Sequence, residues 1–342
     1  MNTTSRIARS RVLLTALLVG ALPPCATIAI ADDSPARGFA LRNQHPFHQL
    51  FGLPLFQSAE LASPGQGALE FSLDVTNHAD EGSNSSEDFR IDGESHYLTV
   101  SYERRVATWL ELGIDVPFVA HTNGYMDNMI ESWHDLWGLS NSKRDGPSNQ
   151  LGYRYEREGI ERLYFHSSET GLGDIQLRAA IPLREAADGR AAITVRSTLK
   201  FPTGDSGKLL GSGATDFATG LYVADTTTLR NRTLGVGGFA GVLVLGDGDV
   251  LPELQRDAVA FAGLSLAWQF SERTALVSHL YGQSSYFDSD IEELGGESLQ
   301  LAVGADYRTR SGALLRLAIV EDIAANATPD FAVHFSVQAG AR

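Results

Sequence analysis

The residues best suited to metal chemistry lie in one short stretch near the middle of the chain. Glu131 and His134 are three positions apart, which would place both side chains on one face of a helix, and Asp135 adjoins them. A carboxylate and an imidazole at this spacing can bind one metal ion, but metal sites need three or four converging ligands. Only two have a defined relation here, so we expect no metal site and no cofactor.

Serine and histidine, which nucleophilic catalysis combines, also occur close together at two places. Ser95 precedes His96, and His279 is followed by Ser284 and Ser285. A serine hydrolase needs this pair to be oriented by a third polar group. The sequence contains no Gly-x-Ser-x-Gly elbow, so we predict no catalytic residues. An enzyme that modifies lipid or lipopolysaccharide is kept as an alternative; it would require a histidine–serine or histidine–acid pair at the outer rim of the fold.

The overall charge narrows the class of partner. The formal net charge is −15, from 27 Lys and Arg against 42 Asp and Glu. Nothing in such a chain neutralises phosphates over a surface, so nucleic acid is not an expected partner.

The N-terminus predicts export. Three arginines precede an apolar run over 12–22, and Ala29-Ile30-Ala31 fits a small-x-small cleavage pattern. The run is shorter than the ~20 apolar residues that a membrane-spanning helix needs. We therefore predict a cleaved signal peptide over 1–31, with an uncleaved anchor as the alternative. The single cysteine, Cys25, lies inside this peptide, so the mature chain would contain no thiol.

Beyond Gly67 the dominant pattern is a period of two, which is typical of strands with one apolar and one polar face. The clearest segments are 67–76, 110–118, 175–184, 193–201, 299–308 and 331–338. Weaker alternation predicts further strands near 94–104, 214–226, 232–246, 257–271, 273–285 and 311–321. Most are near the ~9–11 residues that cross a bilayer at a tilt, and the total is about twelve.

The connections between these segments alternate in length. Short links fall at 105–108, 186–190, 227–231, 271–273 and 309–312, and longer links at 78–93, 120–170, 202–213, 247–256, 286–296 and 322–329. Outer-membrane barrels have short periplasmic turns and long outer loops, whereas a soluble antiparallel sandwich has no reason to sort its loops this way. We therefore predict an all-β fold, a transmembrane antiparallel β-barrel over 67–342 with a lipid bilayer as its partner.

Six charged residues lie on strand faces opposite the apolar stripes. A membrane barrel must turn them inward, because charge that faces lipid costs ~2–4 kcal/mol at mid-depth. A soluble sandwich would turn the same faces to water, and parity alone does not separate the two. The lumen-lining candidates are Arg178, Arg196, Lys200, Asp306, Arg308 and Arg316. Charges of both signs predict no strong anion or cation selectivity.

The segment 39–57, FALRNQHPFHQLFGLPLFQ, precedes the first strand and has no clean period. Its apolar density argues against free solvation, so we expect it to pack in the mouth or lumen of the barrel. A disordered periplasmic leader is the alternative. In domain terms, a periplasmic or plug segment over 32–66 follows the signal peptide and precedes the barrel.

The long loop 120–170 has an apolar helical face. Its members are Met126, Met129, Ile130, Trp133, Leu136 and Trp137. A loop of this length with its own helix is usually functional. One hypothesis is a gate over the lumen, and the other is a cap on the rim that shields strand ends. The gate candidates are Asp127, Glu131, Trp133, His134 and Trp137.

Several short motifs lie outside the predicted strands. They are Asn43-Gln44-His45-Pro46, Phe51-Gly52-Leu53-Pro54, the stretch from Tyr125 to Ile130 followed by His134, and Gly171-Leu172-Gly173-Asp174. Together they resemble a bacterial family known as domain of unknown function 3187. The last motif also resembles barrels linked to the meta-pathway of phenol degradation. The resemblance implies an outer-membrane barrel of unassigned function and suggests a pore for small molecules. Trp137, where we expect Phe, and the C-terminus without a terminal aromatic residue depart from the pattern.

These observations predict an exported outer-membrane barrel that passes or binds a small solute of unknown identity. We expect it to depend on the barrel assembly machinery and to have no enzymatic activity. Besides the enzyme named above, a structural barrel without transport is an alternative.

Overall fold

A computed structural model of the protein describes residues 38–126, 150–187, 189–323, 327–329 and 331–341. The predicted signal peptide, 1–31, lies outside these residues. Within the described ranges, no helix is long and apolar enough to cross a membrane.

The described chain forms fifteen antiparallel strands in one sheet. In chain order they are β1 (Gly67–Ser83), β2 (Glu87–Ala107), β3 (Leu110–Thr122), β4 (Gly152–Arg157), β5 (Ile160–Phe165), β6 (Glu169–Leu172), β7 (Gln176–Arg184), β8 (Ala192–Lys200), β9 (Asp216–Leu229), β10 (Arg232–Val244), β11 (Ala258–Gln269), β12 (Thr274–Gln283), β13 (Ser298–Arg308), β14 (Leu314–Asp322) and β15 (Phe331–Ala341).

Twelve of these strands close into a barrel. Strands β1 to β3 and β7 to β15 follow one another round the ring, and β1 pairs with β15 from Gly67↔Ala341 to Asn77↔Phe331. Closure gives the backbone groups of these strands partners on both sides, as the hydrocarbon interior of a membrane requires. The predicted strand count and antiparallel topology are confirmed.

Side chains alternate between the interior and the outer wall along each strand. In β8, Thr194, Arg196, Thr198 and Lys200 are buried, and the residues that alternate with them are partly exposed. On the outer wall Phe71 and Phe335 expose 47% and 45% of their surfaces. Large apolar side chains at this exposure form the band that contacts lipid.

The barrel has a short-turn end and a long-loop end. Turns at 108–109, 230–231, 270–273 and 309–313, and the described residues 185–187 and 189–191, lie at the short-turn end, together with the first and last residues of the ring, Gly67 and Ala341. One predicted long link was wrong: 78–93 belongs to β1 and β2, which stay paired as far as Ser83↔Asp88. The buried face of this projecting hairpin combines His78 and Asp80 of β1 with Phe89 and Ile91 of β2, so the apolar pattern is broken although the backbone pairing continues.

The described part of the long loop 120–170 consists of strand and connecting chain. β4 pairs with β2 and with β5, so the loop contributes a hairpin to the projecting part of β1 and β2. Described helical structure is limited to single turns at His48–Leu50, Ser206–Lys208 and Glu292–Gly295. Met126, the first residue of the predicted helix, packs against Phe331 on the outer wall. Because 127–149 lie outside the described residues, a helical insertion stays a prediction that nothing in the described loop supports.

The N-terminal segment, residues 38–66, passes through the interior of the barrel. Asn43 Nδ2 donates to Ser298 Oγ of β13 at 3.0 Å, and Tyr281 of β12 donates to the Pro54 carbonyl at 2.7 Å. On the opposite side, Arg196 of β8 donates to the Ser58 carbonyl at 2.8 Å. Partners on strands on opposite sides of the ring place this segment in the lumen.

Candidate functional site

A buried lysine joins the N-terminal segment to the wall near the long-loop end. Lys200 Nζ lies 2.7 Å from Asp174 Oδ2 and 3.1 Å from Asp216 Oδ2, and it donates to the Leu50 carbonyl at 3.1 Å. It also bonds to Ser212 Oγ. Lys200 and both carboxylates are almost fully buried. Four acceptors around one ammonium satisfy its charge and all of its donors.

The two carboxylates of this network are anchored by backbone N–H groups. Asp174 accepts from Gly204 at 2.8 Å and from Ser212 at 3.1 Å. Asp216 accepts from Gly246 at 3.0 Å and from Gly52 of the N-terminal segment at 2.8 Å. Because Gly204 and Gly246 belong to two different outer loops, the network connects these loops, the wall and the segment.

At Gly52 the segment approaches the wall so closely that a side chain would not fit. A Cβ at this position would stand 2.9 Å from Asp216 Cβ and 3.2 Å from Lys200 Cβ. Both neighbours are near the backbone of a barrel strand and have little room to move. A side chain at residue 52 would therefore displace the segment from the wall.

A break in the wall presents Asp174 to this network. β6 and β7 both pair with β3, and residues 173–175 interrupt them. Gly173 N donates to the Pro117 carbonyl of β3 at 2.8 Å, and a Cβ at Gly173 would meet the Pro117 ring at 3.0 Å. Two of the motifs noted in the sequence, Phe51-Gly52-Leu53-Pro54 and Gly171-Leu172-Gly173-Asp174, therefore meet at Lys200.

Above this network the lumen is closed by aromatic packing. Phe51 stacks on Tyr286 with ring centroids 5.0 Å apart, and Phe47 contacts Phe89 and Tyr153 at 5.9 and 6.2 Å. All five side chains are buried. They come from the N-terminal segment, the projecting strands and an outer loop, so the long-loop end is held together by apolar contact.

Two histidines of the N-terminal segment lie in this apolar region. Burial lowers the pKa of His48 from 6.5 to about 4. Burial, with a further contribution from nearby His48, also holds the pKa of His45 well below its usual value. Both imidazoles are therefore neutral near pH 7.

The short-turn half of the lumen is charged instead. Arg178 Nη1 lies 3.2 Å from Glu103 Oε2, and its Nε lies 2.9 Å from Asp115 Oδ2. Arg196 Nη1 lies 3.2 Å from Glu111 Oε1, and its Nε donates to the Ser58 carbonyl. These pairs bring charges from β2, β3, β7 and β8 together behind the N-terminal segment.

A third arginine is held less closely. Arg316 Nη1 lies 3.5 Å from Glu70 Oε1, and its Nε lies 3.7 Å from Asp306 Oδ2. Its Nη2 is buried without a hydrogen-bond partner. A cavity of about 50 Å³ lies beside it, bounded by the N-terminal segment and by all three arginines, Arg178, Arg196 and Arg316.

A serine between two histidines is the described arrangement nearest to catalytic chemistry. Ser95 Oγ lies 3.0 Å from His78 Nε2 and 2.9 Å from His121 Nδ1, and His121 Nε2 lies 2.9 Å from the Leu209 carbonyl. Ser95 and both histidines are 0% exposed. Their hydrogen bonds link β1, β2, β3 and an outer loop inside the molecule, away from the outer rim where a lipid-modifying pair would act.

The structure separates the six lumen-lining candidates into groups. Arg178, Arg196 and Arg316 line the same cavity, and Asp306 lies beside Arg316. Lys200 belongs to the network near the long-loop end, and Arg308 is partly exposed at the short-turn end of β13. Their roles in binding or passage stay predictions. The gate candidates, from Asp127 to Trp137, lie outside the described residues.

Sequence reasoning missed the carboxylates that pair with these cations. They are Glu70, Glu103, Glu111, Asp115, Asp174 and Asp216. Glu70, Glu111 and Asp115 lie on the polar faces of alternating strands, so the parity that selected the arginines would also have selected them. Strand parity did not select Asp174, which lies in the break between two strands; it was marked only as the last residue of the Gly171-Leu172-Gly173-Asp174 motif.

Comparison with known proteins gives one family and a set of solved barrels. The family model described as "Protein of unknown function (DUF3187)" matches residues 22–340. Comparison with curated proteins finds no match. The COG4313 outer membrane channel from Pseudomonas putida F1 is 14% identical, with 82% of this chain and 97% of that chain covered and a TM-score of 0.54. At this identity the likeness shows a shared outer-membrane barrel fold.

Two further solved structures are more distant. The toluene transporter TodX of P. putida is 10% identical, with 82% of this chain and 89% of that chain covered and a TM-score of 0.33. The NanC porin is 6% identical, with coverage of 80% and 99% and a TM-score of 0.42.

Proposed function

This chain belongs to the DUF3187 family, and we propose that it is an outer-membrane channel for small polar solutes, closed here by its own N-terminal segment. The observation that carries the proposal is the content of the lumen. The ring of twelve strands is wide enough to hold residues 38–66, and its inward faces bear charged side chains that would line water if this segment left.

The barrel is closed in the state described. The cavity beside Arg316 has a volume of about 50 Å³, and a second one, bounded by Arg42 of the segment and Asp74 of the wall, has about 20 Å³. Leu55 of the segment borders both. Cavities of this size hold a few water molecules, so a solute passes only when the segment moves.

The finer assignments form part of the same proposal. A signal peptide over 1–31 would direct export, residues 32–66 would act as the plug, and the barrel assembly machinery would insert the strands into the outer membrane. The solved COG4313 outer membrane channel has the same fold, and this likeness supports the proposal of a pore. The word channel in its name describes that protein and not this chain. A structural barrel or a lipid-modifying enzyme would need no lumen occupied by a displaceable segment.

Planar-bilayer conductance of the full chain tests this function. Gly52→Val places a side chain against Asp216 and Lys200, so we expect more frequent or longer openings than in the unaltered protein. Gly152→Val is the matched control, because a Cβ at Gly152 meets nothing within 4 Å. A variant without residues 39–57 should conduct continuously.

Heat-modifiable gel mobility shows whether each variant has folded into a barrel. Folded Gly52→Val and 39–57 deletion variants that both fail to conduct would leave the lumen without a transport role. Hydrolysis of labelled phospholipid by the purified protein would favour the enzyme instead.

A further inference from the structure

We propose that the cavity beside Arg316 binds a small zwitterion, a solute with one carboxylate and one ammonium group. The proposal rests on the channel function, because it assigns the class of solute that the lumen accepts. It concerns a site built from wall residues of six strands and from the N-terminal segment.

The cavity is enclosed by polar and charged side chains. Arg178, Arg196 and Arg316 line it with Glu60, Glu70 and Glu103. Gln57 and Ser58 of the N-terminal segment, and Ser101 and Gln338 of the wall, complete the polar lining. Its volume, about 50 Å³, suits a solute the size of the smallest amino acids and excludes sugars and larger molecules.

Arg316 has the longest ion pairs of the three arginines that line the cavity. Its side chain is 4% exposed, its carboxylate neighbours stand at 3.5 and 3.7 Å, and Nη2 makes no hydrogen bond. Charge-assisted N–H···O bonds are normally ~2.7–2.9 Å long, and buried donors are normally satisfied. A guanidinium that lines a cavity, and whose own carboxylates stand at 3.5 and 3.7 Å, is suited to bind a further carboxylate.

The other two arginines are already occupied. Arg196 donates to the Ser58 carbonyl at 2.8 Å and to Gln57 Oε1 at 3.3 Å, and it pairs with Glu111. Arg178 Nη1 donates to Glu103 Oε2 at 3.2 Å, and its Nε, which makes no hydrogen bond, forms an ion pair with Asp115 Oδ2 at 2.9 Å. Both arginines have a carboxylate within 3.2 Å, so Arg316 is the cation of the lining that is least closely held by the protein's own carboxylates.

The carboxylates that line the cavity favour a ligand that also carries an ammonium group. A simple anion at Arg316 would lie close to Glu70 and add negative charge to a site that already has as many acidic as basic lining residues. An ammonium group on the same molecule would pair with these carboxylates and leave the net charge unchanged. A ligand with both signs therefore fits better than an anion, a cation or a neutral amide.

Equilibrium dialysis with labelled glycine tests the proposal on the full chain folded in detergent. We expect glycine to bind more tightly than acetate, ethylammonium or acetamide, which each lack one or both of its charges. Arg316→Gln should weaken glycine binding by about tenfold or more, because the amide cannot form the charged pair. Arg316→Lys should restore part of the affinity.

A second variant keeps the test informative if Arg316→Gln does not fold. Ser101→Val fills the cavity without altering a charge, and Ser278→Val on the lipid-facing side of β12 is its matched control. We expect Ser101→Val to abolish glycine binding and Ser278→Val to leave it unchanged.

Two results would overturn the zwitterion site: acetate binding as tightly as glycine, or glycine binding that neither Arg316→Gln nor Ser101→Val reduces. Because dialysis measures no conductance, a pore that opens without binding glycine removes only this site. Glycine binding to a barrel that never conducts removes only the channel.

Discussion

Two buried cations inside the barrel have opposite surroundings. Lys200 lies 2.7 and 3.1 Å from two carboxylates and also bonds to the Leu50 carbonyl and to Ser212. Arg316 also has two carboxylate neighbours, but they stand at 3.5 and 3.7 Å, and one nitrogen has no partner. The protein satisfies the charge and the hydrogen-bond donors of Lys200, whereas Arg316 keeps donors that a ligand could satisfy.

The difference follows from what surrounds each charge. Near Lys200 the outer loops and the Phe51-Gly52-Leu53-Pro54 motif pack closely, and an aromatic cluster covers the region. Near Arg316 the N-terminal segment stands away from the wall and leaves a cavity. Basic residues on inward strand faces therefore have two roles: Lys200 docks the segment, and we propose that Arg316 binds solute.

The substitution of Lys200 should cause the largest loss of unfolding free energy. Lys200→Met leaves Asp174 and Asp216 buried without their counter-ion, so we expect a loss of about 3–5 kcal/mol of unfolding free energy. Lys208→Met is the control: Lys208 lies 3.3 Å from Glu169, but it is 47% exposed, and such pairs contribute about 0–1 kcal/mol. Denaturant unfolding in micelles measures both, and equal losses would contradict the structural role of Lys200.

The substitution of Arg316 should cause a smaller loss of unfolding free energy. Arg316→Met frees Glu70 and Asp306 beside a cavity that water can fill, so we expect a loss of about 1–3 kcal/mol in the same unfolding experiment. Arg256→Met provides the control on an exposed pair with Asp288. A loss as large as that of Lys200→Met would mean that Arg316 also holds the structure together, and the distinction between the two cations would fail.

A third effect is a pH dependence that arises at the apolar end of the lumen. The pKa of His48 falls from 6.5 to about 4 on burial, so folding favours its neutral form. The stabilisation is complete above pH 6.5 and is lost as the pH falls from about 6.5 towards about 4. His48→Gln should therefore lose less stability over this range than the unaltered chain.

Unfolding midpoints measured at several pH values test this expectation. His166→Gln, at an exposed position outside the barrel wall, should follow the unaltered protein. Coincident profiles for His48→Gln and the unaltered protein would show that the buried imidazole does not control the acid response of the long-loop end.

Particular residues show how far the sequence could be read. In β8 the alternation places Arg196 and Lys200 on one face, and this face is buried in the structure, because a strand that separates lipid from a polar lumen must alternate with a period of two. The same argument failed for 78–93, where the buried face of the projecting hairpin mixes polar residues such as His78 and Asp80 with Phe89 and Ile91. It also did not predict β4 and β5, which pair with this part of β2 and with each other.

The sequence by itself determined the closed ring of strands, its lipid-facing and inward faces and the presence of charge in its interior, because these follow from local periodicity against a bilayer. Only the tertiary structure decided which charged residues form ion pairs with each other. Asp174, Asp216 and Gly52 lie far apart along the chain and meet at Lys200 only because the barrel closes around the N-terminal segment. The same closure leaves Arg316 beside a cavity that residues of the N-terminal segment and of six strands enclose.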